Sequence, residues 1–306
     1  MKKKSPAEER AIIVGQQNKR PYGVKVRIHL QTGGAIGSVE NACVPLNTGA
    51  FLTIAPARTA PWKGGKKFVI TLEGFPTAAA AEAAGRRLVQ ALLWMAVSAD
   101  FPLRLEYQSY EPAAVFERNR SDGFRLEAFG EVDNAPQLAF GELHDAYTSL
   151  EEPDEKLLLS MEIFCAARME SSQRAVFLSV VTALEPLATE ADYGEPVRAF
   201  VADCVTRLKT SNEIPDQVRQ SLEGRLLQLQ RESIRQALKR VVGEILPDDP
   251  EAVDIVDNAY ALRSQIIHTG VPAALDVDLE REVKAISSII RKIYAKRLKR
   301  NVIRNG

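Results

Sequence analysis

"TSLEEPDEKLLLSMEIFCAARME", residues 148–170, is where this 306-residue chain changes its pattern. Before it, short apolar runs are cut by glycines and prolines; after it, apolar residues recur at helical spacing almost to the end. Pro153, Asp154 and Glu155 mark the first helix of the second kind. Proline has no N–H to waste in an opening turn, and carboxylates suit the positive end of the helix. The boundary is placed here, with an α+β domain over 1–148 and an all-α domain over 149–306.

Upstream, "YGVKVRIHL" (22–30) alternates Val24, Val26 and Ile28 against Lys25, Arg27 and His29, the period of a half-buried strand. His29 falls among the polar positions and is expected to face solvent. "KKFVITLEGF" (66–75) reads as a second strand, and "FPLRLEYQSY" (101–110) and "GFRLEAFGEV" (123–132) as later ones. "QTGGAIGSVENACVPLNTGAFLTIAPA" (31–57) reads as short β-rich runs between turns; its glycines lack the spacing and the lysine of a phosphate-binding loop. One helix interrupts the strands. Thr77 is placed to cap it, and Leu88, Leu92, Met95 and Ala96 make its apolar face.

Downstream, "SSQRAVFLSVVTALEPLATE" (171–190) follows a serine cap, with Phe177, Val181, Leu184 and Ala188 at helical spacing. "EPVRAFVADCVTRLKT" (195–210) puts Val197, Phe200, Val201, Cys204, Val205 and Leu208 on one stripe. Pro215 opens a long segment running through Leu222 and Leu229 to Ile245, Asp249 and Pro250 begin another helix, and a last one spans about 278–300. Short connections between such helices make a bundle.

Composition narrows the function classes. Lysine plus arginine equals aspartate plus glutamate at 40 each, so attraction for polyanions has to come from local clusters such as the acid-free stretch between Arg291 and Arg304. Cys43, Cys165 and Cys204 are too few and scattered for a disulfide framework or a zinc site, and no metal or cofactor is expected. A cytoplasmic setting is expected from the cysteine usage, and no apolar run is long enough for a membrane span.

"YALRSQIIHTGVP" (260–272) carries the chemistry. Arg263 and His268 stand near the end of a helix that Thr269, Gly270 and Pro272 are placed to stop. Five residues set the two about 140° apart around the axis, so they are not stacked neighbours. The helix C-terminus carries partial negative charge, which favours a protonated ring, and imidazole exchanges protons near neutral pH. Arginine keeps its charge and offers a planar fork of donors to phosphate oxygens. Ser264, four residues before His268, is placed to hydrogen-bond the ring or a bound phosphate. A fixed cation beside a proton-exchanging group suits phosphodiester chemistry. Of the other histidines, His144 has Asp145 beside it, but adjacent helix positions point apart, and neither His29 nor His144 completes a triad.

"RSQIIH" (263–268), an Arg-x4-His pattern near the end of an all-α region, resembles the signature of the HEPN superfamily. "LLSMEIFCAARMESSQRAVFLSVVTALEPLA" (158–188) and "RESIRQALKRVV" (231–242) are similar to its Apea-like branch, with a weaker echo in "FPTAAAAEAAGRRLVQALLW" (75–94). The resemblance implies a HEPN-like helical bundle and a metal-independent endoribonuclease acting as a homodimer, with both motifs facing one another across a two-fold axis. The substrate's 2′-hydroxyl would attack its own phosphorus, leaving a 2′,3′-cyclic phosphate. In that reading His268 is the proton-transfer group, Arg263 the phosphate clamp and Ser264 a supporting polar residue, smaller than many active members carry there. Gly270 occupies the place where another branch has a modified tyrosine, which disfavours that toxin type. A toxin or antiviral-defence role with RNA as substrate is implied, with the first domain as a sensor or regulator and an antitoxin or defence-system protein as a possible partner. The alternative is a HEPN module without catalysis, a dimeriser or nucleic-acid-binding adaptor.

Overall fold

A computed structural model describes residues 20–31, 42–45, 51–56, 65–100, 102–106, 113–117, 143–151, 154–211, 213–271 and 277–302. They form a mixed α+β protein, with a sheet in the amino-terminal part and helices through most of the remainder. Two compact units divide them: the described residues up to Ser179 together with those from Leu298, and Val180–Arg297.

Six strands build the sheet of the first unit: β1 (Tyr22–Gln31), β2 (Ala42–Pro45), β3 (Phe51–Pro56), β4 (Gly65–Phe75), β5 (Leu103–Glu106) and β6 (Ala113–Glu117). All pairings are antiparallel, in the order β2-β3-β4-β1-β5, with β6 on the same side of β1 as β5. β1 is therefore central. The alternation read from its sequence is obeyed: Val24, Val26, Ile28 and Leu30 are buried while Lys25 and Arg27 are exposed. His29 departs from it. Its side chain is on the polar face as expected, yet only 9% of the residue is exposed. Period two fixes the face a residue takes, not what covers that face. The strand expected at 123–132 lies outside the described residues, and β6 was not expected.

Helix α1 (Ala78–Ser98) packs on β1, β4 and β6. Thr77 caps it as expected, its Oγ1 accepting from the Ala80 N–H at 3.1 Å. Gly85 permits the close approach: a Cβ there would stand 2.8 Å from Val24 and 2.9 Å from Ala113. The helix then buries Leu88, Leu92, Trp94 and Met95 almost completely. α2 (Glu155–Ala167) lies against α1 and β5, capped by Asp154, whose carboxylate accepts from the N–H groups of Lys156 and Leu157. It buries Cys165, whose thiol burial pushes up to about 12, as a packing residue would be. Cys204 is half-buried on α4 (Glu195–Thr210), and the side chain of Cys43 lies outside the description. A short helical segment at 143–149 completes the first unit, and Arg300 donates to the Asp145 carbonyl there.

α3 (Gln173–Thr182) starts from Ser172, whose hydroxyl accepts from the Ala175 N–H. It ends before Leu184, and Pro186 sits within a 3₁₀ turn over Glu185–Leu187 instead of in a continuing helix. Four further helices follow α3 and α4: α5 (Asp216–Gln228), α6 (Ile234–Ile245), α7 (Pro250–Thr269) and α8 (Leu279–Leu298). The long segment expected from Pro215 to Ile245 is thus two helices. Ser233 opens the second with a capping box, its hydroxyl accepting from the Gln236 N–H while the Gln236 side chain accepts from the Ser233 N–H. A local cap at that point outcompetes helix continuation. The stripe expected on α4 is only half used: Val201, Val205 and Leu208 are buried, whereas Phe200 is 67% exposed. α6 packs on α7 through faces that bury Leu238 and Val242 on one side, Val256 and Ala259 on the other.

Candidate functional site

The end of α7 is built as its sequence requires. Pro250 lies in the first turn, and Gly270 takes the left-handed conformation at φ 80° while its N–H donates to the Ile266 carbonyl at 2.8 Å. The Thr269 hydroxyl lies 2.8 Å from the Gln265 carbonyl and 2.7 Å from that of Val271, closing the turn. His268 is exposed in the last turn, and among the described residues its ring has no hydrogen-bond or ionic partner. Next to it in sequence, Ile267 is 51% exposed, and Val271, three residues on, is 50% exposed.

Arg263 is treated differently. Its side chain is 17% exposed; Nε donates to Thr182 Oγ1 at 3.1 Å and Nη2 lies 3.0 Å from Glu185 Oε1. The guanidinium also stands over the Tyr260 ring, 5.6 Å from its centroid. Burial, with Glu185 adding to it, pushes the Tyr260 phenol above its ordinary range, and Arg263 opposes the shift. Thr182 ends α3 and Glu185 starts the 3₁₀ turn, so the break in that segment is what brings both groups to Arg263. Sequence reading missed these partners, since nothing local in either segment points to the other.

Ser264 is half-buried. Asp257 is engaged elsewhere, accepting from Arg235 at 2.6 Å and Lys239 at 3.2 Å. Those bonds, Arg235 first, hold its carboxyl below the ordinary range. Within one chain, Arg263 and His268 are therefore not a contacting pair. One is drawn inward by an acid and a hydroxyl; the other is exposed at the surface.

Among the described residues no cluster of three or more histidine, cysteine or acidic side chains stands ready for a metal ion. None of the described helices is long and apolar enough to cross a membrane. No family model matches the chain, and neither any curated protein nor any solved structure matches it.

Proposed function

We propose that the chain is a metal-independent endoribonuclease of the HEPN type, its helical region forming a HEPN-like bundle whose site is completed by a second copy across a two-fold axis. The observation that carries this reading is the exposed His268 ring in the last turn of α7, where Ile267 and Val271 are exposed as well. A ring so placed is open to a substrate, and exposed aliphatic side chains at the same helix end suit a second protomer. In the reaction, the ribose 2′-oxygen bonds to phosphorus as the bond from phosphorus to the 5′-oxygen breaks. His268 from one protomer removes the 2′-hydroxyl proton and its symmetry mate protonates the leaving oxygen. Arg263 meets the phosphate, and Glu185, 3.0 Å from its Nη2, orients it. Toxin or defence work in the cytoplasm is the setting we propose, with the sheet domain as regulator.

A second reading draws on the Arg263–Glu185 pair. An arginine already neutralised by a carboxylate and seated on a tyrosine is also what a purely structural helix end needs, and it favours a dimerising or nucleic-acid-binding module without catalysis. Purified protein incubated with RNA in excess EDTA separates the two. The nuclease reading expects cleavage that persists, yields 2′,3′-cyclic ends and falls in His268→Ala. Equal degradation by wild type and variant identifies a contaminant and leaves the adaptor. A strictly monomeric species during cleavage would remove the composite site.

A further inference from the structure

We infer that the sheet domain holds a small organic phosphate ester in a cleft on the polar face of β1, independently of the helix-end site. In the antiparallel register His29 stands directly opposite Lys67 of β4 and Arg104 of β5. Directly paired residues project from the same face, and adjacent strands lie about 4.8 Å apart, so the three side chains form one row across three strands. They line a cleft of about 640 Å³ together with Leu105, Glu106, and Glu162 and Ala166 of α2.

The charges in the cleft are unequally committed. Lys67 Nζ lies 2.5 Å from Glu106 Oε1. Arg104 is exposed and has no carboxylate partner among the described residues, so its guanidinium is the open anion receptor of the row. His29 lies between the two cations. Burial holds its imidazole below the ordinary histidine range, Glu106 pushes it up, and Lys67 and Arg104 push it down. A neutral ring there supplies one N–H without adding a third positive charge. Three donors arranged across three strands match the three free oxygens of a phosphate monoester better than the two of a carboxylate. The volume is within the ~300–1,000 Å³ typical of small-molecule sites, more than a bare phosphate fills, which leaves room for an organic body beside it. The anion then competes with Glu106 for Lys67, which sets the sign of the mutational test.

The full chain has three histidines, so its imidazole proton spectrum assigns readily from single His→Asn variants. Adenosine 5′-monophosphate serves as the probe, with inorganic phosphate and adenosine as its two halves. The nucleotide is expected to move the His29 signals saturably and more strongly than either half. Arg104→Ala, a surface change, weakens that binding about tenfold or more, through loss of a charge-assisted bond. Glu106→Gln, which releases Lys67, tightens it severalfold. A spectrum in which His29 does not respond overturns the inference, as does wild-type affinity in Arg104→Ala or weaker binding in Glu106→Gln. Adenosine acting as well as the nucleotide removes the phosphate, and inorganic phosphate acting as well removes the organic body. A response at His268 instead of His29 moves the anion to the helix end, which sinks this site while leaving the nuclease reading intact.

Discussion

His29 and His268 invert what their sequences announce. His268 belongs to a recognisable pattern, yet the fold leaves its ring exposed with no described partner. His29 sits in an ordinary alternating strand, yet the sheet sets it between Lys67 and Arg104 and almost buries it. A motif is a property of one segment, whereas a side chain's environment is made by segments that meet only on folding. His268 is left exposed at a helix end, whereas His29 has neighbours on two strands that tune it.

In the proposed nuclease reading, the largest effect that tests this contrast is on RNA cleavage. His268→Ala should lower the rate by roughly 10²–10⁴-fold, the usual worth of a general acid–base group. Its unfolding free energy from urea denaturation should stay within about 0.5 kcal/mol of wild type, as for exposed side chains that touch little. Activity and stability falling together would place His268 among the structural residues and dissolve the contrast.

Arg263→Ala is expected to do the reverse on stability. Removing it leaves Glu185 and the Thr182 hydroxyl without the charged donor they share, a loss of about 1–3 kcal/mol in urea unfolding. Arg263→Lys keeps the charge but not the fork that reaches both groups, so it should recover only part of that loss. A neutral Arg263→Ala would mean that the pair contributes nothing measurable, and the adaptor reading would lose the observation that favours it.

These two residues show where the sequence was legible. The helix stop was, because it depends on residues next to one another: Gly270 takes the left-handed conformation that Thr269-Gly270-Val271-Pro272 suggested, and Thr77 caps α1 for the same local reason. The alternation of β1 was legible too, since period two is built into the extended backbone. What could not be read depends on distance along the chain. Glu185 reaches Arg263 from a different segment altogether, and the His29 row needs the registers of three strands. Phe200 teaches the complementary lesson: helical spacing put it on the apolar stripe, yet the fold leaves it 67% exposed while it buries Val201, Val205 and Leu208. The break between α5 and α6 was hidden because apolar spacing continued across it while Ser233 and Gln236 made a local cap.

Gly270→Ala is a smaller test of the helix end. A Cβ at this position meets nothing within 4 Å, so the cost is conformational alone, about 1–2 kcal/mol for a left-handed residue with a side chain. Because the turn that carries His268 depends on it, the nuclease reading expects cleavage to fall modestly along with stability. A variant as stable as wild type would show that the left-handed stop does not fix the ring's position.

The smallest expected effect sharpens the other side of the comparison. Burial lowers the His29 pKa in the folded chain, so on acidification the unfolded chain takes up this proton first, near its ordinary pH of ~6.5. The unfolded state then binds more protons than the folded one, and stability falls with decreasing pH through that range until the folded ring protonates as well. The carboxylates Glu232, Asp249 and Asp257, held below their ordinary ranges by hydrogen-bonded cations, act in the same direction but at more acidic pH. Comparing wild type with His29→Gln between mildly alkaline and mildly acidic pH isolates the histidine, because the carboxylates are common to both chains. Wild type should lose more stability across the window than the variant. Saturating adenosine 5′-monophosphate should then shrink that excess, because a phosphate beside the ring favours its protonated form and opposes the effect of burial. Equal slopes in wild type and variant would mean that water reaches the ring freely, and the row across β4, β1 and β5 would be no more tuned than the histidine at the end of α7.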